Sequence, residues 1–119
     1  MTSGMTDSIP LFDVYMGAIA EGDVEAALAL FSDDAVVVGE GTYFDGEKTP
    51  RESIEIDLSA ASEGWEYIGQ VNVEKSKDIA TADLRFMSPE GTMVDFPQTV
   101  IIENGKIKRC TTGPPKPVE

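Results

Sequence analysis

Hydrophobic residues in the first quarter of the chain recur at the spacing of helices. The first helix is predicted from Ser8, as its cap, to about Glu21, with Pro10 in the first turn. Its buried face is formed by apolar residues three or four positions apart, namely Leu11, Val14, Tyr15, Ala18 and Ile19. Gly22 can end this helix, and Asp23 can cap a second one. The chain is therefore expected to begin with two consecutive helices.

A short strand and a glycine-rich loop are predicted next. The second helix covers residues 24–31, VEAALALF, and is closed by SDD at residues 32–34. The β-branched stretch AVVVG, residues 35–39, is typical of a strand. Residues 39–48, GEGTYFDGEK, favour a loop that can hold a brief strand at residues 43–44.

A third helix and a series of strands make up the rest of the pattern. The sequence TPRE, residues 49–52, has a cap, a proline at the first helical position and a glutamate three residues after the cap. This helix carries Ile54 and Leu58 on one side and is expected to end near Gly64. From Trp65 onward the alternation is that of strands, in the segments WEYIGQVNVEK, IATADLRFM, TMVDFPQTVII and KIKRCTT.

This order of elements predicts one α+β domain. The last two strands are joined by Asn104-Gly105, a strong hairpin signal. Helices followed by an antiparallel meander favour helices packed on one face of a curved sheet, with a cone of apolar space between them that can bind a small molecule. The domain is expected to span residues 8–113, between a flexible tail at 1–7 and a proline-rich tail at 114–119 that cannot join a sheet interior.

Composition narrows the classes of function. The 119 residues suit a single core, and 9 basic against 22 acidic residues give a formal net charge of −13. This charge argues against nucleic acid and anionic membranes as partners. No apolar run is long enough to cross a bilayer, and the N-terminus has no basic region that leads into a hydrophobic one, as a signal peptide would. These features predict a cytoplasmic protein. Cys110 is the single cysteine and is expected to be a small buried side chain.

The absence of histidine restricts the chemistry further. Without it, Ser-His-Asp and Cys-His nucleophile systems, histidine-ligated zinc and histidine acid–base catalysis are excluded. Neither common glycine-rich phosphate loop is present, so nucleotide cofactors are not supported. Any catalysis is expected to use carboxylates, tyrosine, lysine or amides, with no cofactor.

Gln98 stands out in the strand MVDFPQTVII. It interrupts an apolar face formed by Val94, Phe96, Val100 and Ile102. An amide is costly to bury unless its hydrogen bonds are made, so Gln98 is either a satisfied core amide or a group that binds a ligand. Pro97 leaves the register open, because a bulge there would turn Thr99 inward instead.

Three parts of the sequence resemble the nuclear transport factor 2-like superfamily. They are residues 15–37, YMGAIAEGDVEAALALFSDDAVV, the FDG at residues 44–46 with the helix after it, and ENGKI at residues 103–107. Members include ketosteroid isomerase, SnoaL-like polyketide cyclases and limonene epoxide hydrolase. The resemblance covers nearly the whole chain and implies a cone-shaped α+β barrel, a fold that serves both enzymes and binding proteins.

The resemblance to ketosteroid isomerase also implies site residues. Tyr15 falls where that family has a tyrosine that donates to the enolate oxygen, and Gln98 falls where it has a protonated aspartic acid. The family's aspartate base has no match, because residues 37–39 are Val-Val-Gly; Glu40 follows and is the candidate base. Each has a simpler alternative: Tyr15 and Gln98 as packed core residues, and Glu40 as a solvated loop residue. The expected substrate-binding residues are Phe31, Val38, Tyr43, Trp65, Phe86, Phe96 and Val100.

The sequence therefore predicts a cofactor-independent isomerase, cyclase or lyase acting on a small hydrophobic carbonyl compound. In this hypothesis Tyr15 and Gln98 stabilise an enolate-like oxygen and Glu40 transfers a proton. The alternative is a binding or assembly module of the same fold that does no chemistry. A homodimer is the family expectation, and outward Met87, Met93 and Ile101 are compatible with it.

Overall fold

The computed structural model describes residues 9–41 and 44–118. The predicted cap Ser8 and the predicted pocket residue Tyr43 lie outside these ranges. The helices are α1 Pro10–Glu21, α2 Val24–Leu28 and α3 Pro50–Glu63. The strands are β1 Phe31–Gly39, β2 Gly46–Lys48, β3 Glu66–Lys75, β4 Ile79–Met87, β5 Met93–Glu103, β6 Lys106–Thr112 and β7 Lys116–Pro117.

The strands form one open sheet in the order β2-β1-β6-β5-β4-β3, and β7 also pairs with β5. Strands β3 to β6 are the antiparallel meander that the sequence predicts. Only the pairing of β1 with β6 is parallel among the described strands. The three helices pack on this sheet, which confirms the predicted α+β fold class.

The start and end of α1 follow local signals. Pro10 takes the first helical position, after Ile9 at the cap position, and Gly22 ends the helix in the left-handed conformation at φ 70°. The Asp23 carboxylate accepts a hydrogen bond from the Ala26 N–H at 3.1 Å, which makes it the cap of α2 as predicted.

The second helix is shorter than predicted. It ends at Leu28, and Phe31 belongs to β1 rather than to the helix. The Ile107 N–H donates to the Leu30 carbonyl at 2.9 Å, and Phe31 pairs with Ile107. Backbone pairing with β6 therefore begins at Phe31, a residue that the sequence pattern still assigns to the helix. Residues 32–34, expected to be a turn, lie inside β1 at an irregularity of the ladder.

Two short strands also differ from the predictions. The strand in the glycine-rich loop is at Gly46–Lys48, paired with residues 37–39, and not at residues 43–44. A Cβ on Gly39 would clash with the Phe44 carbonyl oxygen, so this loop can approach β1 only where a side chain is missing. In the tail, Lys116–Pro117 forms β7, a pairing that the sequence did not predict.

The register around Pro97 is regular. Pairing of β4 with β5 runs without a bulge from Ile79–Ile101 to Met87–Met93. Gln98 is opposite Ala82 and faces the helices, whereas Thr99 is exposed. The alternative register with Thr99 inward is therefore excluded.

Pro97 lies where β5 changes partners. Strand β6 pairs with residues 98–103 and β7 with residues 94–95. The Pro97 carbonyl accepts a hydrogen bond from the Gly113 N–H at 2.9 Å, in the gap between these two pairings. The N–H and C=O of one strand residue point the same way, so the missing N–H of proline also faces this gap. No bond to β4 is lost.

The core lies between the inner face of the sheet and helices α1 and α3. Ile54 and Val100 are its largest fully buried side chains. The sheet contributes further side chains to the same cluster, among them Ala80, Leu84 and Ile107. Within the described residues, no helix has both the length and the apolar character needed to cross a membrane.

Replacing Thr49 by alanine is expected to lower the free energy of unfolding by about 1 kcal/mol. The Thr49 hydroxyl accepts from the Glu52 N–H at 3.2 Å, and the Glu52 carboxylate accepts from the Thr49 N–H at 2.9 Å. Urea unfolding at pH 7 measures the difference, and Thr49→Ser, which keeps the hydroxyl, should remain close to the parent protein. Equal losses in both variants would contradict the capping role.

This difference should also depend on pH. Hydrogen bonds with the backbone and side chain of Thr49 hold the pKa of Glu52 below its ordinary value. A carboxyl group with a lowered pKa stabilises the folded state above its unfolded pKa, and this stabilisation is lost as the pH falls through the folded pKa. Alanine keeps the backbone N–H and removes only the hydroxyl, so the gap between the parent protein and Thr49→Ala should narrow in acid by the part of the stabilisation that the hydroxyl contributes.

Candidate functional site

A cavity of about 430 Å³ lies between α1, α3 and the inner face of the sheet. It is within the size range of small-molecule sites. Exposed residues Ala61 and Glu63, at the end of α3, mark its open end. Its lining combines mostly apolar side chains with a few polar groups, among them Tyr15, Asp57, Gln98, Cys110 and Thr112.

Aromatic rings form one wall of the cavity. Trp65 meets Phe96 edge-on with ring centroids 6.0 Å apart, and Phe96 meets Phe86 at 5.6 Å and 86°. The ring centroids of Phe86 and Tyr67 are 5.5 Å apart. Edge-to-face packing of this kind holds the rings in defined orientations. The wall can therefore contact a flat hydrophobic ligand without rearrangement.

Tyr15 and Asp57 form the polar contact between the two helices. The Tyr15 hydroxyl donates to Oδ2 of Asp57. Tyr15 is on the buried face of α1, and Asp57 lies three residues after the fully buried Ile54 on α3. Both side chains line the cavity. A partly buried carboxylate is thereby placed, with a hydroxyl donor, beside apolar space.

The oxygen of the Gln98 side-chain amide accepts hydrogen bonds from the protein, whereas its nitrogen is available as a donor. Its Oε1 accepts from the Thr112 hydroxyl at 2.9 Å and from the Cys110 thiol at 3.3 Å. Its Nε2 donates to no described residue. Burial, and next the charge of Asp57, raise the pKa of the Cys110 thiol to about 12, so the thiol keeps its proton at neutral pH. The amide NH₂ is consequently available to a ligand.

A second hydrogen-bond network fixes α1 against β3. The Gln70 amide accepts from the Ile9 N–H at 2.8 Å and donates to the Ile9 carbonyl at 3.0 Å. Gln70 and Tyr67 also donate to Oδ1 of Asp13, at 3.1 and 2.9 Å. Burial, followed by the hydrogen bond to Asp13, raises the pKa of Tyr67. These contacts hold the beginning of the helix that carries Tyr15.

The sequence of this chain matches the model of the SnoaL-like domain over residues 10–104. The chain belongs to the SnoaL-like domain family. The matched segment begins at α1 and ends in the hairpin between β5 and β6, so it includes all three helices and most of the cavity lining. The predicted superfamily is thereby confirmed.

Solved structures share the SnoaL-like fold at low sequence identity. A proposed polyketide cyclase from Sinorhizobium meliloti is 22% identical, with a TM-score of 0.67 over 93% of this chain and 99% of that one. IdmH, a proposed polyketide cyclase from Streptomyces antibioticus, is 14% identical, with a TM-score of 0.71 over 87% and 88%. A proposed ketosteroid isomerase from Kribbella flavida is 14% identical, with a TM-score of 0.69 over 92% and 78%. No curated protein matches the chain.

The SnoaL-like cavity brings together several residues that the sequence singled out. Tyr15 and Gln98 both line it, from α1 and from β5. Four of the residues expected to bind substrate also line it, namely Phe31, Trp65, Phe86 and Phe96.

Glu40, Val38 and Val100 are placed outside the cavity lining. Glu40 is exposed just beyond β1, where its N–H donates to the Thr112 carbonyl at 2.8 Å. Val38 is buried on the face of β1 opposite to Val37, because neighbouring strand residues point in opposite directions. Val100 is on the inner face but is completely enclosed.

Asp57, like Thr112, is a site residue that the sequence did not single out. Ile54 and Leu58 define the inner side of α3, and Asp57 lies three positions after Ile54, a spacing that places two helical residues on the same side. This spacing was the available signal. The hydrogen bond with Tyr15 joins residues 42 positions apart, and no local pattern indicates it.

Two buried carboxylates of the SnoaL-like domain, Asp83 and Asp95, are engaged outside the cavity. Asp95 pairs with Arg85 at 2.9 Å, and Asp83 pairs with Lys116 at 3.1 Å. In residues 9–41 and 44–118, no three Cys, Asp or Glu side chains are grouped so that they could hold a metal ion. The ionisable group best placed to contact an enclosed ligand is therefore Asp57.

Proposed function

We propose that this SnoaL-like protein is an enzyme that moves a proton on a small hydrophobic carbonyl compound. One observation carries the proposal: a carboxylate, Asp57, and an amide NH₂, that of Gln98, line the same largely apolar cavity. A base and a hydrogen-bond donor are the two groups that enolisation of a carbonyl compound requires. The family membership and the neighbours named as polyketide cyclase and ketosteroid isomerase support this class of reaction.

Asp57 takes the role of general base in this proposal. The bond between the ligand's α-carbon and its hydrogen breaks, the proton passes to a carboxylate oxygen of Asp57, and the electron pair moves into the carbonyl group. The Tyr15 hydroxyl, which donates to Asp57, fixes the orientation of that carboxylate. Glu40, which the sequence suggested as the base, is exposed and outside the cavity lining.

Gln98 takes the role of donor to the developing enolate oxygen. Its NH₂ is neutral at every pH, so it can donate without a shifted pKa. Tyr15 can join it during the reaction: protonation weakens Asp57 as an acceptor, and the Tyr15 hydroxyl can then turn to the enolate. The proton returns from Asp57 to a different carbon in an isomerisation. In a cyclisation the enolate carbon attacks a second carbonyl, whose oxygen takes up the proton from Asp57. In an elimination the β-substituent leaves with its bonding electron pair and takes up that proton.

Exchange of ligand α-hydrogens with solvent deuterium tests this proposal before the natural substrate is known. We expect the protein to accelerate exchange in members of a panel of enolisable bicyclic ketones, followed by NMR. Gln98→Leu should lower the rate about 10²- to 10³-fold, because the donor to the oxyanion is lost. Tyr15→Phe should lower it as well. Unchanged exchange in both variants would remove the proposed roles.

The alternative is a protein that binds a hydrophobic ligand without chemistry. The hydrogen bonds of Tyr15 to Asp57 and of Thr112 to Gln98 fit this alternative equally well, because they also satisfy the polar groups of a pure binding site. The same experiment separates the two functions. Ligands that bind in the cavity, as shown by shifts of the Trp65 indole resonance, without any acceleration of exchange would favour the binding module.

A further inference from the structure

The orientation of the Gln98 amide is fixed by two neighbours on β6. Thr112 is opposite Gln98 in the β5–β6 pairing, and Cys110 lies two residues before it on the same face. Their hydroxyl and thiol both donate to Oε1, at 2.9 and 3.3 Å. Thr112 is 4% exposed, so water does not readily replace its contact with the amide. The oxygen end of the amide is thus held at the sheet, and the NH₂ end points away from these two donors.

Rotation of the amide by 180° would be unfavourable here. The Thr112 hydroxyl and the Cys110 thiol donate to Oε1 and to no other described atom. In the rotated amide, the Thr112 hydroxyl could accept from the NH₂, but its own hydrogen would lose its acceptor, and the Cys110 thiol would face an N–H from which sulfur accepts only weakly. Loss of a hydrogen bond by a buried polar group costs more than the bond itself contributes.

The charge in the cavity favours the same orientation. Asp57 contributes to the raised pKa of Cys110, so its field reaches this part of the sheet. The NH₂ is the positive end of the amide dipole, and the oxygen is the negative end. A carboxylate in the cavity therefore attracts the NH₂ toward the cavity and repels the oxygen toward β6.

We propose that Thr112 and Cys110 are positioning residues that present the Gln98 NH₂ to the cavity and so make the site select ligands with a hydrogen-bond acceptor at this position. Carbonyl and quinone oxygens fit this requirement, whereas an N–H group that can only donate meets another donor. The inference rests on the proposed role of Gln98 as a donor to the ligand. It does not depend on proton transfer by Asp57.

Two pairs of probes with matched carbon skeletons measure this selectivity by NMR titration. The acceptor preference is the ratio of the dissociation constant of indane to that of 1-indanone. The donor preference is the ratio of the dissociation constant of indene to that of indole. We expect Thr112→Val to lower the acceptor preference about two- to tenfold, the range of one neutral hydrogen bond. Gln98→Leu should lower it at least as much.

The donor preference distinguishes positioning from simple damage to the site. In the double variant Thr112→Val with Cys110→Ala, the amide can rotate and offer its oxygen, so the preference for indole should rise above that of the parent protein. Gln98→Leu cannot produce this rise. Thr112→Ser and Cys110→Ser keep a donor at each position, and the acceptor preference lost in the valine and alanine variants should be restored in both.

Two results would overturn the inference. One is an acceptor preference that Gln98→Leu leaves unchanged, which would show that the amide does not contact the ligand. The other is that the acceptor preference and the donor preference both stay unchanged in the double variant Thr112→Val with Cys110→Ala. This would show that the two residues do not orient the amide. The enzyme proposal fails separately, if these binding preferences are found but no α-hydrogen exchange is accelerated.

Discussion

Replacing Asp57 by asparagine should reduce α-hydrogen exchange about 10²- to 10⁴-fold, the usual contribution of a positioned general base. The carboxylate is the group that accepts the proton, and asparagine cannot take its place. Asparagine has nearly the same shape and keeps an oxygen that can accept from the Tyr15 hydroxyl. The contact between α1 and α3 can therefore survive, so the loss should be specific to catalysis.

Two carboxylates outside the cavity provide matched controls for this substitution. Glu55 lies on α3 but is exposed, and Glu40 is exposed at the end of β1. Glu55→Gln and Glu40→Gln should each exchange ligand hydrogens at the parent rate. Exchange that persists in Asp57→Asn but disappears in Glu40→Gln would restore the assignment made from the sequence and refute the one made from the cavity.

Replacing Ile54 by alanine should lower the free energy of unfolding by about 2 to 5 kcal/mol. Ile54 has 0% exposure and lies on the inner side of α3, where it packs in the main hydrophobic cluster. Removal of its side chain leaves a void that close-packed neighbours fill only in part. Urea unfolding followed by circular dichroism gives the difference.

Ile79 offers the same chemical change at the surface. It is 45% exposed at the start of β4, so Ile79→Ala should cost less than about 1 kcal/mol. The position of Ile54 adds a second expectation, because the helical turn that it anchors carries Asp57. Ile54→Ala should therefore also slow α-hydrogen exchange at temperatures where the protein remains folded. A loss no larger than that of Ile79→Ala would contradict the central place of Ile54 in the core.

The sequence predicts elements best where the signal is local. The capping box of Thr49 and Glu52 is one example, because both partners lie within one turn. The pair Gly22-Asp23 is another, since the glycine conformation and the aspartate cap are set by adjacent residues. The meander was predictable for the same reason, because alternation and short turns specify neighbouring antiparallel strands.

Features that depend on distant partners were not predictable from these patterns. Phe31 continues a helical pattern, but pairing with Ile107 makes it part of a strand. Strand β7 forms only because β5 leaves a place beside Val94 and Asp95 that β6 does not fill. The approach of Asp57 to Tyr15 likewise requires two helices to be packed before the contact exists.

The network of Gln70 with Ile9 and Asp13 has a consequence for the detection of ligands. It joins the beginning of α1, which forms one wall of the cavity, to β3, which lies about half the sequence further along the chain. The binding surface is therefore assembled only when the whole domain is folded. A compound that occupies this surface must then shift the global equilibrium between folded and unfolded chains by mass action. Melting curves in the presence of a chemical library can consequently identify occupants of the cavity even before any reaction has been observed.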